Sequence, residues 1–476
     1  MNNNINVLNP RTGQVDFSFE RPSLDFITDE CKRLKESQEA WSEAPLSERI
    51  SVMLKWAEQI NIHRDKIINA ESTDTGRWKI ASESPDAVIW SIKGWCDKAG
   101  EIIDEASVAG NSSIMPHIKL SQKLAAYPLL GVISPWNFPF LLSCIDAIPA
   151  LIAGSAAIIK PSEVTPRFIE SLNETIIKIP ELERILCYVM GDGITGSQII
   201  DNVDIVCFTG SVSTGRKVAE QCAKNFIPVF LELGGKDPVI VTKDADINIA
   251  TDAVLRGAVF ATGQICYSIE RIYVHESIHD DFVELIINKS KDIKLNDEDI
   301  HKGHIGPMIF NKQSTIIDSQ IEDALHKGAI LKTGGKSEKI NGGIYYRPTV
   351  ITEVDHSMNI MNDETFGPIM PIMKFSSDEE AVTLANDTDY GLSGAVIAGT
   401  EPDAMKIGSK INAGGISLMD TTLTGAILRD AEKNSFNFSG LGGSRMGPAS
   451  IMRFFRKKAF MTNTKYPQKM EDMREL

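Results

Sequence analysis

LLGVISPWN (129–137), AAIIKPSE (156–163), CYVMGDG (187–193), DIVCFTGS (204–211) and PVFLELGG (228–235) are five short apolar runs, and each closes on Gly, Ser, Pro or Asn. Helical patterns follow the runs. Strands that alternate with helices predict a parallel α/β sheet, with the ligand at the carboxyl ends of its strands. The residues to watch are therefore those just after each run.

Working outward, residues 23–106 show apolar positions at three- and four-residue spacing and predict three packing helices, DECKRLKESQEAWSEA, LSERISVMLKWAEQINIHRDKI and SPDAVIWSIKGWCDKAGEIIDEA. Residues 113–127 alternate and carry β-branched side chains, which predicts a hairpin. A second α/β stretch runs from about Lys236 to Asn434, and FFRKKAFMTNT near the end reads as one more strand. The run Leu141 to Ile159 has the length of a membrane span, but Asp146, Pro149 and Gly154 make it a buried helix followed by a buried strand. There is no internal repeat and no low-complexity linker.

With 476 residues, a prior of about 150 per domain gives roughly three domains. The net charge of −15 speaks against a phosphate-tracking nucleic-acid binder or a basic membrane-surface protein. Seven scattered cysteines without a CxxC pair predict neither a disulfide framework nor a zinc site, and a reduced, cytoplasmic chain fits them best. The N-terminal MNNNINVLNPRTGQ lacks the layout of a secretory signal.

Three segments carry candidate chemistry. In FTGSVSTGRKVAE (208–220) a strand ends at Gly210 and a helix opens at Ser211, which is either a phosphate cradle or a plain strand-to-helix turn. Arg216 after the second glycine excludes a P-loop. Lys160 and Glu163 in KPSE stand where they could hold ribose hydroxyls, or are ordinary strand-end residues. In FATGQICYSIER (260–271), Cys266 lies in a Gly-containing connection, a better place for a nucleophile than the apolar runs and helical faces of Cys144, Cys187, Cys207 and Cys222. The eight histidines form no HExxH or comparable cluster, and no metal is expected.

Together SPWNFPF (134–140), KPSE (160–163), FTGSVSTG (208–215), LELGGKDP (231–238), GQIC (263–266), ETFGP (364–368) and YGLSG (390–394) resemble the aldehyde dehydrogenase superfamily, in that family's order. The resemblance implies an α/β fold: a Rossmann-like NAD-binding domain from residues 1–109 and 128–233 and an α/β catalytic domain from 234–435. A small β-hairpin oligomerisation element would come from 110–127 and 436–476. It implies a homodimer or homotetramer in which the hairpin and the strand near 456–464 are exchanged between subunits.

The same resemblance assigns Cys266 as the nucleophile, Asn137 and the Cys266 amide as oxyanion donors, and Glu232 as the base that hydrolyses a thioester. It gives NAD contacts to Trp136, Lys160, Glu163, Gly210, Ser211, Leu233, Glu364 and Phe366. The carboxylate of Glu163 should repel a 2′-phosphate, favouring NAD over NADP. The implied partner is a small-molecule aldehyde, with no nucleic acid and no membrane.

The chain departs from the family in three places. Asp146 stands where many members carry Lys, NSFNFSGLGGSRMG (434–447) replaces the usual Pro-Phe-Gly-Gly segment, and ISLMD (416–420) replaces the common aromatic-x-Asn. Candidate tunnel residues Phe138, Leu141, Leu142, Ile145, Ile265, Tyr267 and Leu423 are mostly apolar and lean towards a medium-sized apolar or aromatic aldehyde. Two other readings compete. A coenzyme-A-acylating relative is disfavoured by Glu232, and a catalytically silent structural protein by the retention of Cys266, Glu232 and Asn137.

Overall fold

The computed structural model describes residues 3–106 and 109–475. The five apolar runs form parallel strands, in the spatial order Val229–Glu232, Ile205–Thr209, Leu129–Ile133, Ala156–Lys160, Leu186–Tyr188. Strand order reverses beside Leu129–Ile133, because the next two strands lie on one side of it and the following two on the other. A crevice opens at such a switch point, outside the carboxyl ends of the strands. All five residues of Leu129–Ile133 and of Ala156–Lys160 are buried, as expected for strands covered on both faces.

Of four N-terminal helices, Leu24–Glu43, Leu46–Ile62, Arg64–Thr75 and Trp78–Glu105, the first packs on this sheet and the others on the helices that cover it, burying Ile27, Trp56, Ile67 and Ile92 in one core. The second expected helix divides at His63. The third begins earlier than its pattern showed, after Gly76 turns the chain at φ +66°. An antiparallel hairpin, Asn4–Leu8 with Val15–Glu20, precedes them and was not legible, since only Val7 of its strand residues is buried. The run Leu141 to Ile159 holds helices rather than one helix: Pro139–Cys144 and Ala147–Ala153 are separated at Ile145 and Asp146, and the strand follows Gly154.

A second, seven-stranded sheet runs Ile330–Thr333, Thr349–Thr352, Ile369–Phe375, Ile269–His275, Asp237–Val241, Ser393–Ile397, Gly415–Leu418. It is parallel except for its first pair. A third sheet joins Ala109–Asn111, Ile118–Ala126 and Phe455–Asn463, with the tail strand paired to the hairpin of its own chain from Phe455 opposite Ala126 to Asn463 opposite Ile118. The stretch 436–476 therefore divides. Gly440–Leu441 pairs with Leu231 and Glu232 at the edge of the first sheet, and Ile451 and Phe454 are fully buried in that sheet's core. Only the strand beyond them joins the hairpin.

Candidate active site

The loop that carries Cys266 begins where the helix Ile247–Val259 ends. Ala261, Thr262 and Gly263 follow in left-handed conformation, with φ of 56°, 61° and 67°. For Ala and Thr this costs on the order of 1 kcal/mol or more each, so the surroundings must hold it. They do. Arg77 Nη1 donates to the Ala261 carbonyl (3.2 Å), Thr262 Oγ1 exchanges hydrogen bonds with the Gly306 backbone (3.1 Å each), and Gln264 donates to Pro307 O (3.2 Å) and accepts from Ile309 N (2.9 Å). Gly263 must be glycine, since a Cβ there would stand 2.2 Å from the Gly367 carbonyl oxygen.

Cys266 emerges between this turn and the strand Ile269–His275, partly exposed and unpaired. Burial pushes its thiol up to about 12; Lys433 pulls in the opposite direction, while Glu232, Asp237 and Glu364 add to the rise. Cys31, Cys144, Cys207 and Cys222 are buried in the first core.

Asn137 follows the central strand of the first sheet and is 3% exposed. Its Nδ2 donates to the Gln264 carbonyl at 3.0 Å, two residues before Cys266, and its own carbonyl accepts from Arg77 Nη2. Arg77 thus ties the backbone of Asn137 to that of the nucleophile loop. Burial lowers its guanidinium to about 10, with Glu71 opposing.

Glu232 ends the strand Val229–Glu232, and its Oε2 accepts from Ser435 Oγ at 2.7 Å. The chain then passes through Gly234 and Gly235, where side chains are excluded. A Cβ on Gly234 would lie 2.5 Å from each Glu364 carboxylate oxygen, and one on Gly235 would lie 2.8 Å from the Cys266 carbonyl oxygen. Glu364 accepts from Gly235 N at 3.3 Å, and burial, reinforced by Glu270, raises its carboxyl above the usual range. Glu270 in turn holds the backbone amides of Thr365 (2.8 Å) and Phe366 (2.7 Å) and pairs with buried Lys236 (2.9 Å). Phe366, at φ +54°, faces Trp136 edge-on with ring centroids 5.3 Å apart.

The remaining predicted contacts line the strand ends of the first sheet. Lys160 Nζ is buried on the carbonyls of Pro161 (2.8 Å) and Gly191 (3.0 Å), with Glu163 at 3.5 Å. Burial lowers its ammonium and Glu163 opposes that shift. Ser211 caps the helix Val212–Lys224 by accepting from Thr214 N, so the cap leaves the Val212 and Ser213 amides free for another acceptor. Leu233 packs where a Cβ on Gly215 would stand, locking that helix end to the strand that bears Glu232. Among the tunnel candidates, Phe138, Leu141, Leu142, Ile145 and Tyr267 are half-buried, Leu423 is exposed and Ile265 is buried.

Sequence reading missed the charged surroundings. Asp146 is fully buried and receives Arg445 (2.7 Å) and Arg453 (2.9 Å), while Arg445 also donates to Thr209. Burial alone would raise the Asp146 carboxyl, but the two guanidinium charges hold it below the usual range. Arg77 and Lys433 lie outside every quoted stretch, while Ser435 and Arg445 lie in 434–447, which stood out only as a departure. Gln264 and Lys236 lay inside GQIC and LELGGKDP, yet without chemistry of their own to flag them.

Among the described residues no group of three or more His, Cys, Asp or Glu could hold a metal ion, and no helix is long and apolar enough to cross a membrane. Fold and site define a class: an α/β enzyme with a nucleotide-type switch point in its first parallel sheet and a loop-borne cysteine leading into its second. The aldehyde dehydrogenase family pattern matches residues 1–464, and the chain belongs to that family. A Mycobacterium ulcerans protein assigned by name as an NADP(+)-dependent succinate-semialdehyde dehydrogenase is 31% identical over 90% of this chain and 82% of its own length. The structure assigned as aldehyde dehydrogenase PutA of Anabaena variabilis is 49% identical, with a TM-score of 0.95 over 98% of this chain and 99% of that one. Betaine aldehyde dehydrogenase from Staphylococcus aureus, solved in complex with NAD+, is 29% identical, with a TM-score of 0.90 over 98% and 93%.

Proposed function

We propose that this enzyme oxidises an aldehyde to the carboxylic acid with NAD as acceptor, through a thioester on Cys266. One observation carries the reading. The Asn137 amide reaches the carbonyl two residues before Cys266, while the Cys266 carbonyl packs on Gly235, three residues after Glu232. These contacts support a site with the neutral donor and carboxylate at strand ends of the first sheet and the nucleophile in the loop that leads into the second.

The Cys266 sulfur attacks the aldehyde carbon, and the oxyanion that forms is stabilised by the Asn137 Nδ2 and the Cys266 N–H. Bound NAD supplies the acceptor for the hydride lost as this adduct becomes a thioester. Glu232 then takes a proton from water, whose oxygen displaces the Cys266 sulfur and releases the acid. Ser435 holds that carboxylate ready, which favours hydrolysis over transfer to coenzyme A.

The crevice suits a dinucleotide: free first-turn amides behind Ser211 beside Gly210 for the pyrophosphate, Lys160 and Glu163 for the adenosine ribose, Glu364 for the nicotinamide ribose, and Phe366 with Trp136 beside the ring. Glu163 sets the preference for NAD, its charge opposing a 2′-phosphate. The half-buried Phe138, Leu141, Leu142, Ile145 and Tyr267 support an apolar or aromatic aldehyde of medium size. Residues 1–109 and 128–233 would serve as the NAD-binding domain and 234–435 as the catalytic domain. The hairpin and tail strand would join two or four copies, in the reducing cytoplasm that free cysteines suit.

The test is Cys266→Ala with an aldehyde panel. It should lose at least on the order of 10³-fold in turnover while NAD binding persists, and substantial residual dehydrogenation would sink the mechanism. Glu232→Gln should slow acid release more than the hydride step, measured as a burst of NADH followed by a slow phase.

A further inference from the structure

Hydrogen bonds close a ring around the two oxyanion donors. Arg77 Nη2 donates to the Asn137 carbonyl, and Asn137 Nδ2 donates to the Gln264 carbonyl at 3.0 Å. Gln264 N donates to the Ala261 carbonyl at 3.1 Å, and that same carbonyl accepts from Arg77 Nη1 at 3.2 Å. Two nitrogens of one guanidinium thus hold two distant peptides, one carrying the Asn137 amide and the other opening the turn before Cys266.

The placement of Arg77 is built from several sides. It follows Gly76, which ends the helix Arg64–Thr75 in left-handed conformation and whose carbonyl accepts from Asn296 Nδ2 at 2.7 Å. Its stem runs beside Gly306, where a Cβ would stand 2.8 Å from the Gly76 carbonyl oxygen and 3.1 Å from Arg77 Cγ. Gly306 is also the residue whose backbone exchanges hydrogen bonds with Thr262. On the other side, the guanidinium carbon lies 5.1 Å from the centroid of the Phe138 ring. The group that holds the Asn137 carbonyl therefore also packs on the residue after it.

Charge pairing does not explain this cation. Arg77 is 5% exposed, and its hydrogen bonds go to carbonyls rather than to an acid. Glu71 is the acid that faces it, yet Glu71 Oε2 and Arg77 Nε are both buried without a hydrogen-bond partner among the described residues. Burying a guanidinium in this way costs several kcal/mol. A lysine has one nitrogen and cannot serve two separate carbonyls as a planar fork does.

We propose that Arg77 is a positioning residue that sets the span of the oxyanion hole, holding the Asn137 side-chain amide at a fixed offset from the turn that presents the Cys266 N–H. It acts through Asn137 and the loop, not on the substrate. The proposal rests on Asn137 and the Cys266 N–H as the oxyanion donors, so one arm of its test runs without aldehyde.

In the first arm, full-length Arg77→Lys, Asn137→Ala and the double variant are compared with the unaltered protein by steady-state kinetics on an aldehyde panel with NAD. Arg77→Lys should lower kcat about 10²-fold, the cost of a misplacement of about 1 Å, while aldehyde KM and NAD Kd move less than about threefold. On the Asn137→Ala background the same substitution should cost no more than about fivefold, because the donor it positions is gone. An unchanged kcat, a loss that falls on NAD binding, or a full 10²-fold loss on that background overturns the proposal; the last marks a merely structural role. Arg77→Gln enters the same cycle if Arg77→Lys fails to fold.

In the second arm, amide hydrogen exchange is followed by mass spectrometry without aldehyde or NAD. Arg77→Lys should quicken exchange at least about threefold in the peptides that contain Asn137 and Ala261 and leave the strands of the second sheet unchanged. Unchanged exchange in the first two peptides overturns the proposal. If the unaltered chain oxidises no aldehyde while Arg77→Lys frees both peptides, the proposed function is refuted and Arg77 stands as the tie between them.

Discussion

The two walls of the site are built on opposite principles. On one, Asn137, Arg77, Gln264 and the left-handed turn at 261–263 are joined through backbone carbonyls and amides, so geometry is fixed by hydrogen bonds. On the other, Ser435 donates to Glu232 and Arg445 pairs with buried Asp146, and charge sets the energetics. The first wall falls in matched stretches apart from Arg77, Ala261 and Thr262. Ser435, Arg445 and Asp146 lie where the chain departs from the family's quoted pattern, so the hydrogen-bonded wall sits mostly on matched residues and the charged wall mostly on unmatched ones.

The sharpest way to break the comparison is on the first wall. Asn137→Ala should lower kcat about 10²- to 10³-fold, the usual cost of one oxyanion donor, with little effect on NAD affinity, as steady-state kinetics would show. An equal loss from Ser435→Ala would contradict the division of labour.

On the second wall the effect should appear first in stability. Asp146→Asn leaves two buried guanidinium groups facing a neutral amide, which should cost about 3–5 kcal/mol in denaturant unfolding. Since the folded state holds the Asp146 carboxyl below its unfolded value, its contribution is present above about pH 4 and is lost as pH falls through the lowered value. The variant should lack that part of the acid destabilisation.

The smallest effect belongs to Glu163, which is partly exposed. Glu163→Ala should reduce discrimination against NADP by up to about fivefold, the reach of a partly solvated charge. Unchanged ratios of the two dissociation constants would remove Glu163 from the selectivity argument.

The first sheet was legible because its buried strands read as apolar runs with strand-end punctuation, and all five runs became strands. The N-terminal hairpin was not, for it is largely solvent-exposed and has no hydrophobic period to show. Cys266 stood out in sequence because a thiol in a loop is unusual. Arg77 and Lys433 did not, because a charged residue on a helix start or in a loop reads as solvated until the tertiary fold buries it. Asp146 was legible only as a departure. Its partners lie about 300 residues along the chain, and such a pairing has no local signature.

Gly263 bears on how the enzyme can be altered. Because its α-carbon rests on the Gly367 carbonyl, the cysteine loop and the Glu364–Pro368 loop form an interlocking pair, each the mould of the other. Neither can be lengthened, grafted or reshaped alone. An engineer who moves one of them into another scaffold must carry its counterpart.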